Sequence, residues 1–416
     1  MGGGLLQLVA YGAQDVYLTG NPQITFFKVV YRRHTNFAIE AIQQTFNGNP
    51  GYGQRVTCQI SRNGDLIHRI YLALDMSNNN VILCPNFGLR LINYVEIEIG
   101  GQKIDKHYSH WLYIWNELSL PVSKRAGYNE MIGAYGGKIT NMLYVPLEFW
   151  FCRNVGLALP LIALQYHEVK INLNFESAEN CAGTSSANPT SFTASLWVDY
   201  IFLDTDERRR FAQLSHEYLI EQLQFTGQEA VLNANIKPKL SFNHPCKELV
   251  WVSLAKTNTK DKDNNNWFNY TTNIGGIATV TNAGTTLKDL KSELGNNAIT
   301  SLNPITNGKL VLNGNDRFAQ RNGSYFNLIQ PFQHHENVPS NAGINVYSFA
   351  LKPEEHQPSG TLNMSRIDTA VLNLSMTSDT DYATAMSSGR VNLYVYAVNY
   401  NVLRILSGMG GLAYSN

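Results

Sequence analysis

Residues 169–173 read VKINL, and residues 370–374 repeat this pattern as AVLNL. Both stretches mix apolar, β-branched and polar residues as strands with a buried face do. Three further pairs recur in the same order, with offsets of about 200 residues. They are IEAIQ (39–43) with IEQLQ (220–224), IEIGG (97–101) with LVLNG (310–314), and WVDY (197–200) with LYVY (393–396). Four pairs in one order predict two copies of a single β-sandwich, each of about 190 residues.

The rest of the chain also reads as short strands joined by turns. Further stretches of strand composition lie at 56–60, 67–74, 94–99, 249–252, 309–312 and 346–351. The spacers between them are rich in Asn, Gly, Ser, Thr and Pro, which form turns readily. Helical periodicity is limited to HWLYIWNEL (110–118) and DERRRFAQ (206–213). This pattern predicts an all-β fold with short helices in its loops.

The repeat also sets the expected domain boundaries. We predict an N-terminal arm at residues 1–26, a first sandwich at 27–213, a second at 214–400 and a C-terminal tail at 401–416. The arm is rich in glycine and too poor in apolar residues to order itself, so we expect it to order against a partner. Residues 256–301 are rich in Asn, Thr and Gly and predict a long exposed loop of the second sandwich.

The composition favours a protein that meets copies of itself. The chain has 416 residues, with 32 Lys and Arg against 32 Asp and Glu, and 15% of its residues are charged. A typical soluble protein has about 25%. Zero net charge argues against electrostatic wrapping of nucleic acid, and a weakly charged surface offers little repulsion between copies. We therefore predict self-assembly and no direct sequence-specific contact with nucleic acid.

The cysteines and the N-terminus carry no signal of secretion or metal binding. No CxxC pair occurs among the five cysteines, which are Cys58, Cys84, Cys152, Cys181 and Cys246. This spacing indicates buried or free thiols in a reducing compartment. The N-terminus lacks the basic and apolar regions of a signal peptide, and the longest apolar stretch, residues 155–164, is about half of a membrane span.

No constellation of catalytic residues emerges from the sequence. The phosphate-binding, dinucleotide-binding, nucleophile-elbow and zinc-protease motifs are all absent. His334, His335 and Glu336 suggest either a metal site or a polar loop, and we favour the loop because adjacent residues of an extended chain point to opposite sides. Asp204 and Asp206 suggest either an acidic metal pair or a helix cap, and the arginines that follow favour the cap. We predict no enzymatic activity and no metal or organic cofactor.

A basic and aromatic cluster lies just after the arm. It consists of Phe26, Phe27, Lys28, Tyr31, Arg32, Arg33 and His34. Such a mixture can stack on and neutralise a nucleic acid. It can equally anchor a domain edge through cation–π contacts and salt bridges, and the zero net charge favours this second interpretation.

Longer blocks are more specific than any of these short patterns. The opening block, residues 3–40, reads GGLLQLVAYGAQDVYLTGNPQITFFKVVYRRHTNFAIE. Further blocks include EIGGQKIDKHY (98–108), GLALPLIALQYHEVK (156–170), WVDYIFLDTDERRR (197–210), NDRFAQRNGSYF (315–326) and YNVLRILSGMGGLAYSN (400–416). Together they span the chain in order, and they closely resemble the major capsid proteins of nucleocytoplasmic large DNA viruses, especially the algal phycodnavirus type.

This resemblance implies a fold of two consecutive eight-stranded jelly rolls. It also implies a late structural protein of the virion that forms homotrimers, with six jelly rolls giving a pseudo-hexagonal capsomer. Such capsomers tile an icosahedral shell over an internal membrane and are assembled in the cytoplasm of the infected host cell. The expected partners are other copies of the chain in the trimer and in neighbouring capsomers, and minor capsid proteins and the membrane near the N-terminal arm.

Family members also carry glycans. The sequence has four N-x-[ST] matches, at Asn269, Asn322, Asn363 and Asn373. Asn373 falls in a predicted strand and Asn322 in a block typical of the family, so Asn269, in the predicted polar loop, is the plausible acceptor. Jelly rolls also occur in lectins and glycosidases, which leaves a carbohydrate-binding or glycan-hydrolysing protein as the alternative. Hydrolysis needs two convergent carboxylates about 5 to 10 Å apart.

Overall fold

The computed structural model describes residues 3–10, 12–183, 186–256, 267–272 and 302–414. The chain divides into two compact units, Met1–Asn36 and Phe37–Asn416. The first unit contains two short helices, α1 (Gly3–Val9) and α2 (Val16–Thr19). The described strands all belong to the second unit. Within the ranges given above, no helix has both the length and the apolar character to cross a membrane.

The first sandwich consists of two antiparallel sheets. Its strands are β1 (Phe37–Gln44), β2 (Arg55–Gln59), β3 (Leu66–Asp75), β4 (Ile92–Ile99), β5 (Gln102–Tyr108), β6 (Met142–Pro146), β7 (Leu159–Pro160), β8 (Val169–Phe175) and β9 (Thr193–Leu203). One sheet has the order β1-β9-β3-β6, with the short β7 beside β3, and the other has the order β2-β8-β4-β5.

The second sandwich has the same plan with additional short strands. Its strands are β10 (His216–Ala230), β11 (Asn235–Ile236), β12 (Lys239–Leu240), β13 (Pro245–Ala255), β14 (Ile305–Leu312), β15 (Asn315–Asp316), β16 (Arg321–Asn322), β17 (Asn345–Ser348), β18 (Leu362–Asn363), β19 (Ala370–Met376), β20 (Val391–Leu406) and β21 (Met409–Leu412). Its two main sheet orders are β10-β20-β13-β17 and β11-β19-β14-β15.

The two sets of sheet orders correspond strand by strand, which confirms the internal repeat. Residues 39–43 and 220–224 lie in β1 and β10, the strands that begin the two sandwiches. Each of these strands pairs with the last long strand of its own sandwich, β9 or β20. The stretches 169–173 and 370–374 lie in β8 and β19, which occupy equivalent places in the second sheets. The prediction of two eight-stranded sandwiches is therefore confirmed.

The best-preserved part of the repeat is a tight hairpin turn. Gly100 and Gly101 join β4 to β5, and Asn313 and Gly314 join β14 to β15. All four residues have positive φ, between 47° and 85°. Two consecutive residues with positive φ suit the right-handed twist of a two-residue hairpin, and Gly and Asn adopt this backbone at the lowest cost. The sequence echo IEIGG and LVLNG thus reflects one turn geometry used twice.

Short helices fill the connections between strands. They are α3 (Phe87–Leu91), α4 (Ser109–Ser119), α5 (Val122–Ile132), α6 (Trp150–Arg153), α7 (Ala178–Cys181), α8 (Thr205–Gln213), α9 (Gln330–His334) and α10 (Thr380–Ser387). The predicted helices at 110–118 and 206–213 are confirmed as α4 and α8. Asp204 caps α8, because its Oδ1 accepts a hydrogen bond from Thr205 N at 2.7 Å.

The structure corrects three expectations about organisation. Residues 122–132 form the three-turn helix α5, although helical periodicity was expected only at 110–118 and 206–213. Strand β20 runs unbroken across residue 400 and pairs with β21, so residues 401–412 belong to a sheet of the second sandwich and not to a separate tail. The first compact unit ends at Asn36, whereas the predicted arm ended at residue 26.

Three large apolar clusters organise the described part of the second unit, beside a small one formed by Leu66, Ala158 and Ile201. Two of them are the interiors of the sandwiches, where side chains of facing sheets meet. The third cluster joins helix α4 of the first sandwich to the sheet β10-β20-β13-β17 of the second. This third cluster, a core between two domains, leads to the site described next.

Candidate functional site at the junction of the two sandwiches

Helix α4 presents an apolar stripe to the second sandwich. Trp111, Ile114, Trp115 and Leu118 follow the helical spacing of three and four residues and are all buried. They pack against buried side chains of the second sandwich, namely Val250, Val252, Leu254, Ile344, Val346, Tyr394, Tyr396 and Val398. The ring centroids of Trp111 and Tyr396 lie 5.5 Å apart. This contact is built like a protein interior, so it holds the two sandwiches as one body.

A buried ion-pair group crosses the same junction. Glu221 on β10 receives two cations: Lys247 Nζ lies 2.7 Å from Oε1, and a guanidinium nitrogen of Arg153 lies 2.8 Å from Oε2. Arg153 belongs to α6 of the first sandwich, and its guanidinium also lies 4.2 Å from the ring centroid of Trp115. The Lys247 side chain is fully buried. Removing the Glu221 carboxylate would therefore leave the ammonium charge of Lys247 without its ion-pair partner and without water to solvate it.

Hydrogen bonds extend this junction along the strands. Leu223 N of β10 donates to Asp105 Oδ1 of β5 at 3.0 Å, and Gln222 Nε2 donates to the carbonyl oxygen of Ile104. The other carboxylate oxygen of Asp105 lies 2.9 Å from His107 Nε2. Hydrogen bonds therefore connect β5 of the first sandwich to β10, the first strand of the second.

His335 lies between two carboxylates. Its Nε2 is 2.9 Å from Glu248 Oε2, its Nδ1 is 2.8 Å from Glu354 Oε1, and its side chain is fully buried. Burial lowers the pKa of His335, but the attraction of Glu248 and the bonds to both acids outweigh it and raise the pKa to about 9. The imidazole is therefore a cation at neutral pH. Of the expected polar loop at residues 334–336, His335 therefore belongs to a buried charge cluster while Glu336 is exposed, and metal binding is not needed to explain the cluster.

The described part of the predicted polar loop, residues 267–272, lies against the first sandwich. The guanidinium carbon of Arg90 is 3.5 Å from the ring centroid of Trp267, and His110 stacks on the same ring at 4.6 Å. The Tyr270 hydroxyl lies 2.8 Å from His110 Nδ1. Burial, with the nearby positive charge of Arg90, lowers the pKa of His110 to about 3, so this histidine is neutral. The rest of residues 256–301 that we expected to be loop lies largely outside the described residues.

This placement corrects the expectation for Asn269. The residue is 4% exposed, and its Oδ1 accepts hydrogen bonds from the Thr271 backbone N at 3.0 Å and from the Thr271 hydroxyl at 2.7 Å. The prediction of an exposed loop is thus wrong at this position, because the neighbouring aromatic side chains of Phe268 and Tyr270 are buried and the segment is buried with them. A glycan on Asn269 stays a prediction, and the burial of the side chain argues against it.

The C-terminal hairpin also joins the two sandwiches. His167 Nδ1 lies 2.9 Å from the carbonyl oxygen of Gly410, and Tyr166 N donates to the carbonyl of Gly408 at 2.9 Å. Leu412 N donates to Gln102 Oε1 at 3.2 Å. The last strand of the second sandwich therefore lies against the first, a contact that no local sequence pattern predicted.

A cavity beside α4 and α6 has the size of a ligand pocket. It measures about 660 Å³ and is lined by Trp115, Tyr128, Glu148, Arg153 and Glu354, among others. Burial, opposed by Arg153, raises the pKa of Glu148. Glu354 accepts from His335 and from the Glu336 backbone N, so it already serves the charge cluster. Among the described residues, no group of three or more His, Cys, Asp or Glu side chains is placed to hold a metal ion.

Several apolar side chains remain on the surface. Phe37 and Ile39 of β1 are 55% and 49% exposed, and β1 lies at the edge of its sheet. Phe332 of α9 is 80% exposed and Leu351 is 72% exposed, and His334 Nδ1 lies 3.0 Å from the Leu351 carbonyl oxygen. We refer to Phe332 and Leu351 as the α9 patch. In the first unit, the side chains of the basic and aromatic cluster are exposed.

The buried contacts of the junction can hold the two sandwiches in a fixed relation. Apolar packing stabilises the contact between the sandwiches, and the buried ion pairs favour one relative position of the two. The exposed edge strand and the α9 patch are the features that another protein surface could cover.

Comparisons with known proteins agree with this architecture. A family model described as "Major capsid protein N-terminus" matches residues 25–204, and one described as "Large eukaryotic DNA virus major capsid protein" matches residues 207–411. The chain is 52% identical to the major capsid protein of Pyramimonas orientalis virus and 48% identical to that of Paramecium bursaria Chlorella virus 1, in each case over 100% of both chains.

Solved structures give the same result. A quasi-atomic model of the PBCV-1 virus capsid matches with a TM-score of 0.77 and 43% identity, covering 94% of this chain and 100% of that chain. The Faustovirus major capsid protein matches with a TM-score of 0.72 over 95% of this chain and 94% of that chain. Its identity is only 14%, so this second likeness concerns the fold alone.

Proposed function

Since this chain belongs to the family of large eukaryotic DNA virus major capsid proteins, we propose that it enters the virion shell as a homotrimer whose six sandwiches form a pseudo-hexagonal capsomer. The chain is a structural protein with a double jelly-roll fold, and it is not an enzyme. It is a component of the virion and acts through self-association. The carbohydrate-binding or hydrolytic alternative is not favoured.

The junction between the sandwiches is the observation that carries the trimer proposal. Residues 37–416 form one compact unit in which two sandwiches of equivalent strand order are fixed by the α4 stripe and by the Glu221 ion pairs. Three such units around a threefold axis present six similar sandwiches, which approximates a hexagonal tile. A flexible junction would not give a tile of constant shape, so the rigidity of this contact is what the proposed function requires.

Two surfaces are proposed to contribute to contacts between copies. The edge strand β1 exposes Phe37 and Ile39, and the α9 patch exposes Phe332 and Leu351. An obligate interface buries more than about 2,000 Å² in total and is rich in apolar and aromatic side chains. The low charge of the chain limits the repulsion that copies must overcome.

We expect the double variant Phe332→Ser with Leu351→Ser to shift the trimer toward monomer at micromolar concentration. Both side chains are largely exposed in the single chain, so the variant should fold normally and lose only the apolar area that a second copy covers. Sedimentation velocity measures the mass distribution. Leu232→Ser, at a leucine that is 57% exposed, is the matched control. An equal loss of trimer in the control, or no loss in the double variant, would remove the α9 patch from the interface.

The first unit is proposed to act in shell assembly, near minor capsid proteins and the internal membrane. Its exposed apolar side chains include Phe26, Phe27, Val29 and Val30, and basic residues lie among them. Apolar and basic side chains together suit an acidic protein groove or an anionic lipid surface. Assembly in the cytoplasm of the infected cell belongs to the same proposal.

We expect deletion of residues 1–26 to leave the melting temperature and the trimer mass nearly unchanged while impairing shell formation. The reason is that this segment has few apolar residues and should order only against a partner. Calorimetry and light scattering test the first part, and electron microscopy of particles from cells expressing the truncated chain tests the second. Insolubility of the truncated protein, or a melting temperature many degrees lower, would show that the segment supports the fold itself.

A further inference from the structure

Two of the five cysteines face each other across a short antiparallel pairing. Gly183 N donates to the carbonyl oxygen of Ile82 at 2.8 Å, and Cys84 N donates to the carbonyl oxygen of Cys181 at 3.1 Å. Leu83 and Ala182, which lie between these pairs, form an antiparallel bridge. The register therefore places Cys84 directly opposite Cys181. Cys181 ends helix α7, so this contact is an isolated bridge, and the two thiols lie near enough for Cys84 to raise the pKa of Cys181.

The two backbones approach closely at this point. A Cβ added to Gly183 would lie 2.7 Å from Cγ2 of Ile82, the residue opposite it. Opposite residues of an antiparallel pair have Cβ atoms about 4.5 to 5.5 Å apart, and a disulfide needs about 3.5 to 4.5 Å. Bonding therefore requires the two segments to move toward each other by about 1 to 2 Å.

We propose that Cys84 and Cys181 are a dithiol pair that an oxidant converts to an intrachain disulfide, joining the segment before α3 to the end of α7. The bond closes a loop of about 100 residues and restrains two connections at one end of the first sandwich. Because it needs a small backbone shift, this disulfide is strained and is readily reduced again.

The surroundings of Cys84 and Cys181 explain why the two thiols stay reduced until a strong oxidant is added. Both cysteines are buried, and burial raises the pKa of the Cys84 thiol to about 12. Burial and the neighbouring Cys84 thiol raise the pKa of Cys181 as well, while Arg90 acts in the opposite direction on both. Few thiolates exist at neutral pH, so oxidation is slow and depends on transient opening of the pairing.

The other three cysteines provide an internal comparison. Cys58 lies in β2, Cys152 in α6 and Cys246 in β13, and Cys246 Sγ already donates to the Glu248 carbonyl oxygen at 3.1 Å. All five side chains are buried, so exposure does not distinguish the pair from the rest. The pair is distinguished by its position, because Cys84 lies opposite Cys181. If proximity decides which thiols are oxidised, the disulfide forms between these two cysteines.

The reaction balances with a diazene oxidant such as diamide. A thiolate of one cysteine adds to the N=N bond, and the second thiolate attacks the sulfur of this adduct, so that one S–S bond forms. The N=N unit takes up two electrons and, with the two thiol protons, becomes a hydrazine with two N–H bonds. The two sulfur atoms are each oxidised by one electron.

The test treats the folded full-length protein with diamide, removes the diamide, unfolds the protein in urea, blocks the remaining thiols with iodoacetamide and digests it with trypsin. Cleavage after Arg69, Arg90, Lys170 and Arg208 gives peptides 70–90 and 171–208, each with one cysteine. We expect a disulfide-linked pair of these peptides, three alkylated cysteines instead of five, and reversal by dithiothreitol. We also expect oxidation to raise the melting temperature by about 5 °C.

Variants separate the facing pair from general thiol oxidation. Cys84→Ala and Cys181→Ala should each abolish the linked peptides and the rise in melting temperature, whereas Cys58→Ala should keep both. Two results would overturn the proposal. One is five alkylated cysteines in the oxidised folded protein when the same treatment links cysteines in urea. The other is a linkage that involves Cys58, Cys152 or Cys246.

Discussion

Replacing Glu221 by glutamine is expected to lower the free energy of unfolding by about 3 kcal/mol or more. The carboxylate is the shared partner of Lys247, at 2.7 Å, and of Arg153, at 2.8 Å, and Lys247 has no exposed surface. A neutral amide leaves two cations facing each other, of which Lys247 is fully buried and Arg153 is only 18% exposed. Glu248, next along the chain from Lys247, compensates only in part, because it is already paired with His335.

The same strand provides a matched control. Glu217 also lies on β10, four residues before Glu221, and its Oε1 lies 2.8 Å from Arg404 Nε. Both members of that pair are more than half exposed, so Glu217→Gln should change the free energy of unfolding by less than about 1 kcal/mol. Urea unfolding followed by tryptophan fluorescence measures both variants. A Glu221→Gln protein as stable as the control would mean that the ion pairs do not hold the junction.

Raising the pH from 7 to 10 is expected to remove about 3 kcal/mol of stability through His335. Its pKa is raised to about 9 in the folded protein, above its ordinary value of 6.5. The cation therefore stabilises the fold fully below pH 6.5, and this contribution falls as the pH rises through 9. The groups that face the ring are Glu248 and Glu354, with Lys247 and Arg153 acting on Glu248 from the other side.

Two variants isolate this contribution from the other groups that titrate at alkaline pH. His335→Gln should be less stable than wild type at pH 7 and should lose the part of the pH dependence that lies between pH 6.5 and 9. His334→Gln changes the adjacent histidine, which lies outside the carboxylate pair, and should keep the wild-type profile. Urea unfolding at intervals between pH 6 and 10 gives the three curves. Parallel curves for wild type and His335→Gln would contradict the buried imidazolium.

The strand content of this chain was predictable because a half-buried strand imposes a local pattern. Residues 169–173 and 370–374 show it, and the hairpin turns at 100–101 and 313–314 add a backbone constraint that only a few residue types satisfy. Helix α5 was missed because its sequence, VSKRAGYNEMI, has a weak apolar stripe and only two buried side chains. Its boundaries were nevertheless visible, since Pro121 precedes it and Gly133, with φ of 67°, ends it.

The junction could be predicted only in part. The spacing of Trp111, Ile114, Trp115 and Leu118 predicted a helix with an apolar face, but not what that face covers. The partners of Glu221 lie far from it in the sequence, and no local pattern announces such a pair. One signal was present: Lys247 and Glu248 begin a strand that is otherwise apolar, and charges inside such a strand need buried partners. The aromatic residues at 267–270 likewise marked a buried segment within a polar stretch.

The most direct test of the account is the mass of the purified full-length chain in solution. Native mass spectrometry, with light scattering at micromolar concentration as a second method, should give a single species of three times 46.6 kDa. This result would agree with a capsomer in which three rigid pairs of sandwiches associate. A stable species of 46.6 kDa at the same concentration would contradict the proposal that the chain enters the shell as a preformed trimer.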